Sequence, residues 1–279
     1  MSGTVIHLAH SPDSDDAFMF YALAEGKVDA EGIEYIHELQ DIETLNQRAM
    51  RGELEVTAVS IHAYAYISDR YELLPHGASM GDRYGPKLVA RSPLDRSEVR
   101  GKRIAVPGPL TSAYLALRLY EPEFKPVFIP FDQIDEAVLR GDVDAGLLIH
   151  EGQLTYGAQG LHLVADMGEW WFGETGLPLP LGGNVIRKDL GEGLKRKVSR
   201  HLKASIAYGL EHRVKALDHA MRYSRGLDRG DADTFVGMYV NDWTLDYGVR
   251  GREAIRQFLS RGVESGIIPN PVTVEFADG

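Results

Sequence analysis

The sequence predicts an α/β protein with two similar lobes and a cleft between them. A shared pattern occurs at 52–60 and 141–150, where glycine, acidic, aliphatic and acidic residues precede a short apolar run. Glycine accepts the left-handed backbone that ends helices. An uninterrupted apolar run suits a strand buried on both faces of a sheet. Each copy is therefore interpreted as a helix end followed by a buried strand, and 279 residues suffice for about two such domains.

Strand and helix signals alternate in the first third of the chain. Strands are predicted at 5–9, 33–37 and 56–59, and helices at 17–25 and 43–51. Gly26 and Gly52 follow the two helices, as expected at helix C-termini. Residues 87–91 are predicted to form a strand that leaves this unit.

The same alternation defines a second unit. Strands are predicted at 103–106, 127–129 and 145–149, and helices at 112–120 and 133–140. Pro178 and Pro180 then exclude a helix and indicate an extended return crossing. Beyond residue 193 the apolar spacing of four is helical, and these helices are expected to pack on the first unit. The prediction is a discontinuous lobe 1 of residues 1–90 and 187–279, with lobe 2 at 91–186.

Charge limits the partners. The chain has 30 Lys and Arg against 41 Asp and Glu, a net charge of -11. This balance disfavours nucleic acid and anionic membranes as partners. It remains compatible with a small anionic substrate, because backbone amides at a helix N-terminus can hold a carboxylate.

The sequence constrains the cellular compartment and the oligomeric state less. The chain has no cysteine, which excludes disulfides and thiolate metal sites. The N-terminus enters a strand without a basic or long apolar segment, and no apolar run approaches the roughly 18 residues of a membrane span. We expect a cytoplasmic protein, although a processed chain would look similar. The sequence leaves open whether the chain forms a homo-oligomer.

Two polar residues stand at the ends of the repeated strands. His150 follows the second apolar run, at the carboxyl end of a strand, where α/β sheets place ligands. A histidine there is suited to proton transfer, and the alternative is a hydrogen-bonded core histidine. Ser60 occupies the matching position in the first lobe, where it could instead cap a helix. Both are predicted to face the cleft.

A helix N-terminus offers a seat for a carboxylate. Thr111, Ser112 and Ala113 open a helix after a glycine-containing turn, so free amides and two hydroxyls are directed toward the cleft. Simple N-capping would also explain these residues. Asn46, near the start of another helix, is either a pocket residue or an exposed one.

No metal or cofactor site is predicted. Asp13, Asp15 and Asp16 are interpreted as helix-capping acids, because no histidine completes a regular ligand spacing with them. P-loop, Rossmann, zincin and nucleophile-elbow motifs are missing from the sequence. Trp170 and Trp171 could form an aromatic lid over a flat substrate or belong to a lobe core.

Several motifs follow one known pattern: SP at 11–12, DAFMFYAL at 16–23, ETLN at 43–46, AVPG at 105–108, TSAY at 111–114, HE at 150–151 and TGLPLPLG at 175–182. Together they resemble the 1,4-dihydroxy-6-naphthoate synthases of the futalosine route to menaquinone. The resemblance covers nearly the whole chain. Two positions depart from the usual pattern: Asp13 begins a segment where the family has Cys-Pro-Asn-Asp-Thr, and Ala58 replaces a lysine, which leaves Arg83 and Lys87 as substitute cations.

The resemblance implies the two-lobed type II fold of periplasmic solute-binding proteins, with a mixed sheet and flanking helices in each lobe. It also implies a carbon-carbon lyase that cleaves cyclic dehypoxanthinyl futalosine without a cofactor. His150 would be the general base. Ser112 and Ala113 would hold the substrate carboxylate beside Thr111, and Asn46 and Ser60 would complete the pocket.

Three alternatives remain at this point. Chorismate dehydratase of the same pathway shares the fold, although the segment at 150–151 favours the synthase. A non-catalytic solute-binding protein for a carboxylate would need export, for which the sequence shows no signal. The effector domain of a transcription regulator would need a DNA-binding unit before the first strand.

Overall fold

The structure is a computed structural model that describes residues 4–224 and 226–277. The ends of the predicted lobe 1, residues 1–3 and 278–279, lie outside the described residues, as does residue 225. The strands of the described residues are β1 (Thr4–His10), β2 (Ile33–Leu39), β3 (Val56–Ser60), β4 (Tyr71–Leu73), β5 (Ser79–Gly81), β6 (Lys87–Ala90), β7 (Arg103–Val106), β8 (Lys125–Phe128), β9 (Ala145–Leu148), β10 (His162–Asp166) and β11 (Leu179–Arg187).

Helices flank both sheets. Short 3-10 turns occur at Phe131–Gln133, Lys188–Leu190 and Met221–Tyr223. The α-helices of the described residues are α1 (Ser14–Ala24), α2 (Ile42–Arg51), α3 (Ile61–Tyr64), α4 (Arg96–Val99), α5 (Ser112–Tyr120), α6 (Ile134–Arg140), α7 (Gly152–Thr155), α8 (Met167–Thr175), α9 (Glu192–Glu211), α10 (Arg213–Ala220), α11 (Arg229–Tyr239), α12 (Asp242–Leu245) and α13 (Gly248–Glu264).

The strands form two mixed sheets, as predicted. The 6-stranded sheet has the order β2-β1-β3-β11-β4, with β5 also paired to β11. Strands β1, β2 and β3 are parallel, and β11 is antiparallel to β3. The 5-stranded sheet has the order β10-β6-β9-β7-β8, with β7 parallel to β8 and β9. We call the units built on these sheets lobe 1 and lobe 2.

Local sequence explains the elements next to the cleft. Gly52 and Gly141 adopt φ of 71° and 82° after α2 and α6, so both copies of the repeated motif end a helix in the left-handed region as predicted. The following strands β3 and β9 are buried along their whole length. At the start of α2 the Asp41 side chain accepts a hydrogen bond from the Thr44 amide, which caps the helix.

Two strands pair in the sheet opposite to the predicted lobe. Lys87–Ala90 was placed in lobe 1 but pairs antiparallel with β9 and β10 of lobe 2. Most of Leu179–Arg187 was placed in lobe 2 but pairs with β3, β4 and β5 of lobe 1. For these strands the sheet pairing differs from the predicted boundaries at 90 and 187. Their partners are distant in sequence, and an extended segment does not indicate which sheet it joins.

The C-terminal helices pack mainly on lobe 1. Helices α9, α10 and α11 contact α1, and buried Val198, Leu202 and Ile206 of α9 share one apolar cluster with Phe18 and Ala22 of that helix. Helix α13 contacts β11 of lobe 1 and α5 of lobe 2. The 6-stranded sheet and its helices thus include residues from before and after lobe 2. Within residues 4–224 and 226–277, no helix is long and apolar enough to cross a membrane.

Candidate active site

A cavity lies between the lobes, beside the segments that follow β1, β3, β7 and β9. It encloses about 720 Å³, a volume that includes the open space at its mouth. We call it the cleft. From lobe 1, the polar and aromatic lining residues are Ser11, Asp13, Asp15, Asp16, Ser60, Ser79, Phe235 and Tyr239. From lobe 2, they are Thr111, Ser112, His150 and Gln153.

His150 lines the cleft two residues after the end of β9. Its φ of 53° places a non-glycine residue in the left-handed region, where backbone strain is expected. The ring packs edge-on against Phe131, with the ring centroids 4.7 Å apart. Its Nδ1 lies 3.1 Å from Oδ2 of Asp13. Its Nε2 is buried and has no hydrogen-bond partner among the described residues. Nε2 is therefore the ring nitrogen available to a bound molecule.

Asp13 does not act as the predicted helix-capping side chain. Its backbone occupies the N-cap position of α1, but its carboxylate makes no capping hydrogen bond. The carboxylate instead accepts a hydrogen bond from the Ser11 hydroxyl and faces His150 of the other lobe. This contact was not predicted from the sequence. The sequence did contain one indication that Asp13 has a particular role, because the departure from the family pattern begins at this residue.

Burial changes the protonation of the neighbouring acids. Desolvation raises the pKa of Asp15 to about 7, and the negative charge of Asp13 adds to this effect. Desolvation and the charge of Asp15 raise the pKa of Asp16 well above its usual value, although its Oδ2 accepts a hydrogen bond from the Ser11 amide. A fraction of these acids therefore stays protonated near neutral pH, which makes the cleft less negative than its composition indicates.

Asn46 and Ser60 form a reciprocal pair in lobe 1. The Ser60 amide donates to Oδ1 of Asn46 at 2.8 Å, and Nδ2 of Asn46 donates to the Ser60 hydroxyl at 3.1 Å. Ser60 lines the cleft, whereas fully buried Asn46 lies behind it. Asn46 thus orients the Ser60 hydroxyl so that its hydrogen is available to the cavity.

The N-terminus of α5 reaches the cleft from lobe 2. Thr111 is its N-cap, with Oγ1 accepting from the Tyr114 amide at 3.2 Å, so the capping alternative holds for this hydroxyl. Ser112 and Ala113 occupy the first helical positions, whose amides have no partner within a helix. The Ser112 hydroxyl accepts from the His62 amide of lobe 1 at 3.1 Å. It can therefore donate its own hydrogen to an anion.

Among the residues that the structure describes, no lysine or arginine lines the cleft. Nζ of Lys87 lies 2.5 Å from Oδ2 of Asp166, and Cζ of Arg83 lies 4.4 Å from the ring centroid of Phe172. Neither side chain therefore takes the place of the lysine that the family has at position 58. Burial lowers the pKa of His62 to about 4, which keeps it neutral. Amides and hydroxyls are therefore the groups that could hold a carboxylate here.

The tryptophans belong to the core. Trp171 is fully buried, donates from Nε1 to the Pro178 carbonyl and packs against Phe258. The aromatic residues at the cleft are instead Phe235 and Tyr239 of α11, which the sequence analysis did not single out. The Tyr239 hydroxyl donates to Oε1 of Gln153 at 2.7 Å, which is another bond between the lobes.

The described residues contain no group of three or more His, Asp or Glu arranged to hold a metal ion. The pocket chemistry consists of one imidazole, several carboxyls, and hydroxyl and amide donors. This set can bind an organic anion and transfer a proton.

Comparisons with solved structures agree with this architecture. An alkanesulfonate-binding protein from Xanthomonas axonopodis pv. citri superposes with a TM-score of 0.72 at 13% identity, over 98% of this chain and 97% of that one. A crystal structure of a protein from Archaeoglobus fulgidus superposes with a TM-score of 0.91 at 49% identity, over 94% and 98% of the two chains. The molecule therefore has the two-lobed fold of periplasmic solute-binding proteins.

Sequence comparisons define the family. A 1,4-dihydroxy-6-naphthoate synthase from Thermus thermophilus is 42% identical over 95% of this chain and 97% of its own length. One from Streptomyces coelicolor is 37% identical over 96% of each chain. The menaquinone biosynthesis family model matches residues 6–264. The chain belongs to this menaquinone biosynthesis family.

Proposed function

We propose that this protein is a 1,4-dihydroxy-6-naphthoate synthase, a carbon-carbon lyase that acts on cyclic dehypoxanthinyl futalosine with His150 as its general base. The observation that carries the proposal is the buried, unpartnered Nε2 of His150 in an interlobe cleft that also holds the amides of Ser112 and Ala113. Two near full-length relatives named as 1,4-dihydroxy-6-naphthoate synthases support the choice of activity.

The cleft residues divide into a binding group and a reacting group. The Ser112 hydroxyl and the amides of Ser112 and Ala113 would hold the substrate carboxylate at the positive end of α5. Ser60, oriented by Asn46, would donate a hydrogen bond from the opposite lobe. Contacts from two lobes would fix the substrate relative to His150 and exclude water.

The reaction needs one proton acceptor. Nε2 of neutral His150 would remove a proton from the substrate, and the electron pair of that bond would remain on the substrate and start carbon-carbon cleavage. Aromatisation of the naphthoate would supply the driving force. The small anionic substrate would find little repulsion if Asp15 and Asp16 retain their protons.

The direct test is to incubate the purified protein with cyclic dehypoxanthinyl futalosine and to follow 1,4-dihydroxy-6-naphthoate by absorbance and mass. We expect catalytic turnover, and no reaction of chorismate in a parallel incubation. Conversion of chorismate instead would assign the dehydratase activity. Tight binding of the futalosine derivative without product would make the protein a non-catalytic binding protein.

A further inference from the structure

We propose that Asp13 of lobe 1 positions His150 of lobe 2, so that the base is completed only when the cleft closes. The inference deepens the proposed function, on which it rests. It concerns a residue that contacts the base and does not contact the reacting atoms.

The contact is specific in geometry. Oδ2 of Asp13 lies 3.1 Å from Nδ1 of His150, and the Asp13 side chain is only 1% exposed. A carboxylate at Nδ1 accepts a hydrogen bond from the tautomer that carries its proton on Nδ1. That tautomer leaves the lone pair on Nε2, which lies in the cleft without a partner among the described residues. Asp13 therefore selects the form of the ring that can accept a proton.

Asp13 is itself held in place. The Ser11 hydroxyl donates to its carboxylate, and the loop that carries both residues connects β1 to α1. On the other side, Phe131 packs edge-on against the His150 ring. The His150 ring is thus fixed by the ring of Phe131 from its own lobe and by the carboxylate of Asp13 from the other lobe.

In the proposed proton transfer the substrate loses one proton and the His150 ring gains it. The substrate proton would move to Nε2, while Nδ1 keeps its proton in the hydrogen bond to Asp13. The resulting imidazolium would be stabilised by the adjacent carboxylate. Asp15 and Glu151 are the other acids near the pair, since the charges of Asp13, His150 and Glu151 all influence the pKa of Asp15.

The pair also spans the cleft. Asp13 follows a strand of the 6-stranded sheet, and His150 follows a strand of the 5-stranded sheet. Any opening of the lobes at this point separates Oδ2 from Nδ1 and frees the ring to change tautomer. Substrate-driven closure would therefore assemble the base at the same time as it encloses the substrate.

The test uses Asp13→Asn in the full-length protein, with Asp132→Asn as the matched control because Asp132 is an exposed acid next to Phe131. We expect the kcat of Asp13→Asn to fall roughly 10- to 100-fold, as for loss of one charge-assisted hydrogen bond, with product affinity changed by less than about threefold. The acidic limb of its pH-rate profile should move to lower pH. In a His150→Asn background, Asp13→Asn should have little additional effect on kcat. Asp132→Asn should behave as wild type.

A second measurement does not require turnover. The ¹⁵N spectrum of histidine-labelled protein, recorded with bound product and with His150→Asn to assign the signal, reports the tautomer of His150. We expect the proton on Nδ1 in the neutral wild-type ring and a shift toward the other tautomer in Asp13→Asn. A wild-type proton on Nε2, or an Asp13→Asn variant with unchanged kcat and pH profile, would overturn the proposal. If the protein fails to convert the futalosine derivative, the proposed function fails, and the spectrum still decides the Asp13–His150 pairing.

Discussion

At the scale of single residues, the site depends on groups whose chemistry is set by neighbours. Ser60 is oriented by Asn46, the Ser112 hydroxyl is oriented by the His62 amide, and His150 is paired with Asp13. In each pair the first residue ends a strand, follows a strand or opens a helix at the cleft. Strand and helix ends are legible in a sequence, so the first members of these pairs were predictable as cleft residues.

The second residue of each pair was harder to predict from the sequence. The contact between Asp13 and His150 joins positions 137 residues apart, from 13 to 150, on different sheets. Acids before a helix have a sufficient local explanation in capping, so the tertiary role of Asp13 left no local signal. Gln153 and Tyr239 were missed for the same reason, since their hydrogen bond depends on how α7 and α11 meet.

Replacing Ser112 with alanine should weaken binding of the substrate or a carboxylate analogue. The change removes one hydroxyl donor, and a hydrogen bond to a charged group contributes about 1.5 to 3 kcal/mol, so we expect a loss of roughly ten- to a hundredfold in affinity. Titration calorimetry measures this directly. Ser97→Ala, an exposed serine-to-alanine change in α4, is the control. Unchanged affinity in Ser112→Ala would reduce Ser112 to a structural contact between His62 and α5.

At the scale of elements, the crossing between β5 and β6 packs tightly against α8. A Cβ added at Gly168 would lie 1.8 Å from the carbonyl oxygen of Tyr84, and one at Gly81 would lie 1.9 Å from the same atom. Both glycines are therefore required by a close backbone approach. This contact secures the segment that connects lobe 1 to lobe 2.

Gly168→Ala should destabilise the protein by several kcal/mol, because the clash is with backbone and cannot be relieved by a side-chain rotation. Gly173→Ala lies in the same helix, is exposed and meets no atom within 4 Å. It should stabilise the protein by up to about 1 kcal/mol through helix propensity. Urea unfolding of both variants measures the contrast. Similar stability of the two would show that the crossing does not depend on this approach.

Element positions were largely predictable, and their pairing was not. Helix α5 and strand β7 have the predicted bounds, 112–120 and 103–106, because a glycine-containing turn precedes the helix and the apolar run 104–106 marks the strand. Strands β6 and β11 pair in the sheet opposite to the predicted lobe, because the sheet of each is decided by antiparallel partners far along the chain. Local patterns carry no information about such partners.

At the scale of the whole molecule, two lobes meet through few polar contacts at the cleft. The bonds from His62 to Ser112, from Tyr239 to Gln153 and between Asp13 and His150 all cross between lobes. We predict a hinge motion that makes and breaks these contacts. Solution scattering should show a smaller radius of gyration with bound product than without it. An identical profile in both states would indicate a rigid pair of lobes.

Stability should also depend on pH through buried histidines. Desolvation and the charge of His37 lower the pKa of His10 to about 3. Below its ordinary value of 6.5 the unfolded chain binds a proton that the folded protein excludes, so stability falls as the pH decreases. Asp15, whose pKa is raised, contributes the opposite slope, and a variant comparison therefore isolates His10.

We expect the difference in unfolding free energy between wild type and His10→Gln to shrink by up to about 2 kcal/mol from pH 7.5 to pH 5, because only the wild type loses the contribution of a neutral buried imidazole. Urea titrations across this range provide the measurement. A constant difference would mean that His10 accepts a proton as readily in the folded protein as in the unfolded chain.

The central claim is that His150 is the base in an interlobe cleft. Its most direct test is the pH dependence of single-turnover rates for wild type and His150→Asn. Asparagine is among the residues that tolerate positive φ, so the variant should fold despite the backbone at this position. Asp15→Asn serves as a control, because Asp15 also titrates near neutral pH.

We predict that the wild-type rate rises with pH as the imidazole loses its proton, and that this limb persists in Asp15→Asn. In His150→Asn the limb should vanish and the rate should fall by roughly two to four orders of magnitude, with substrate still bound. A folded His150→Asn protein that retains a near-normal rate and the same pH dependence would contradict the assignment of His150 as the base.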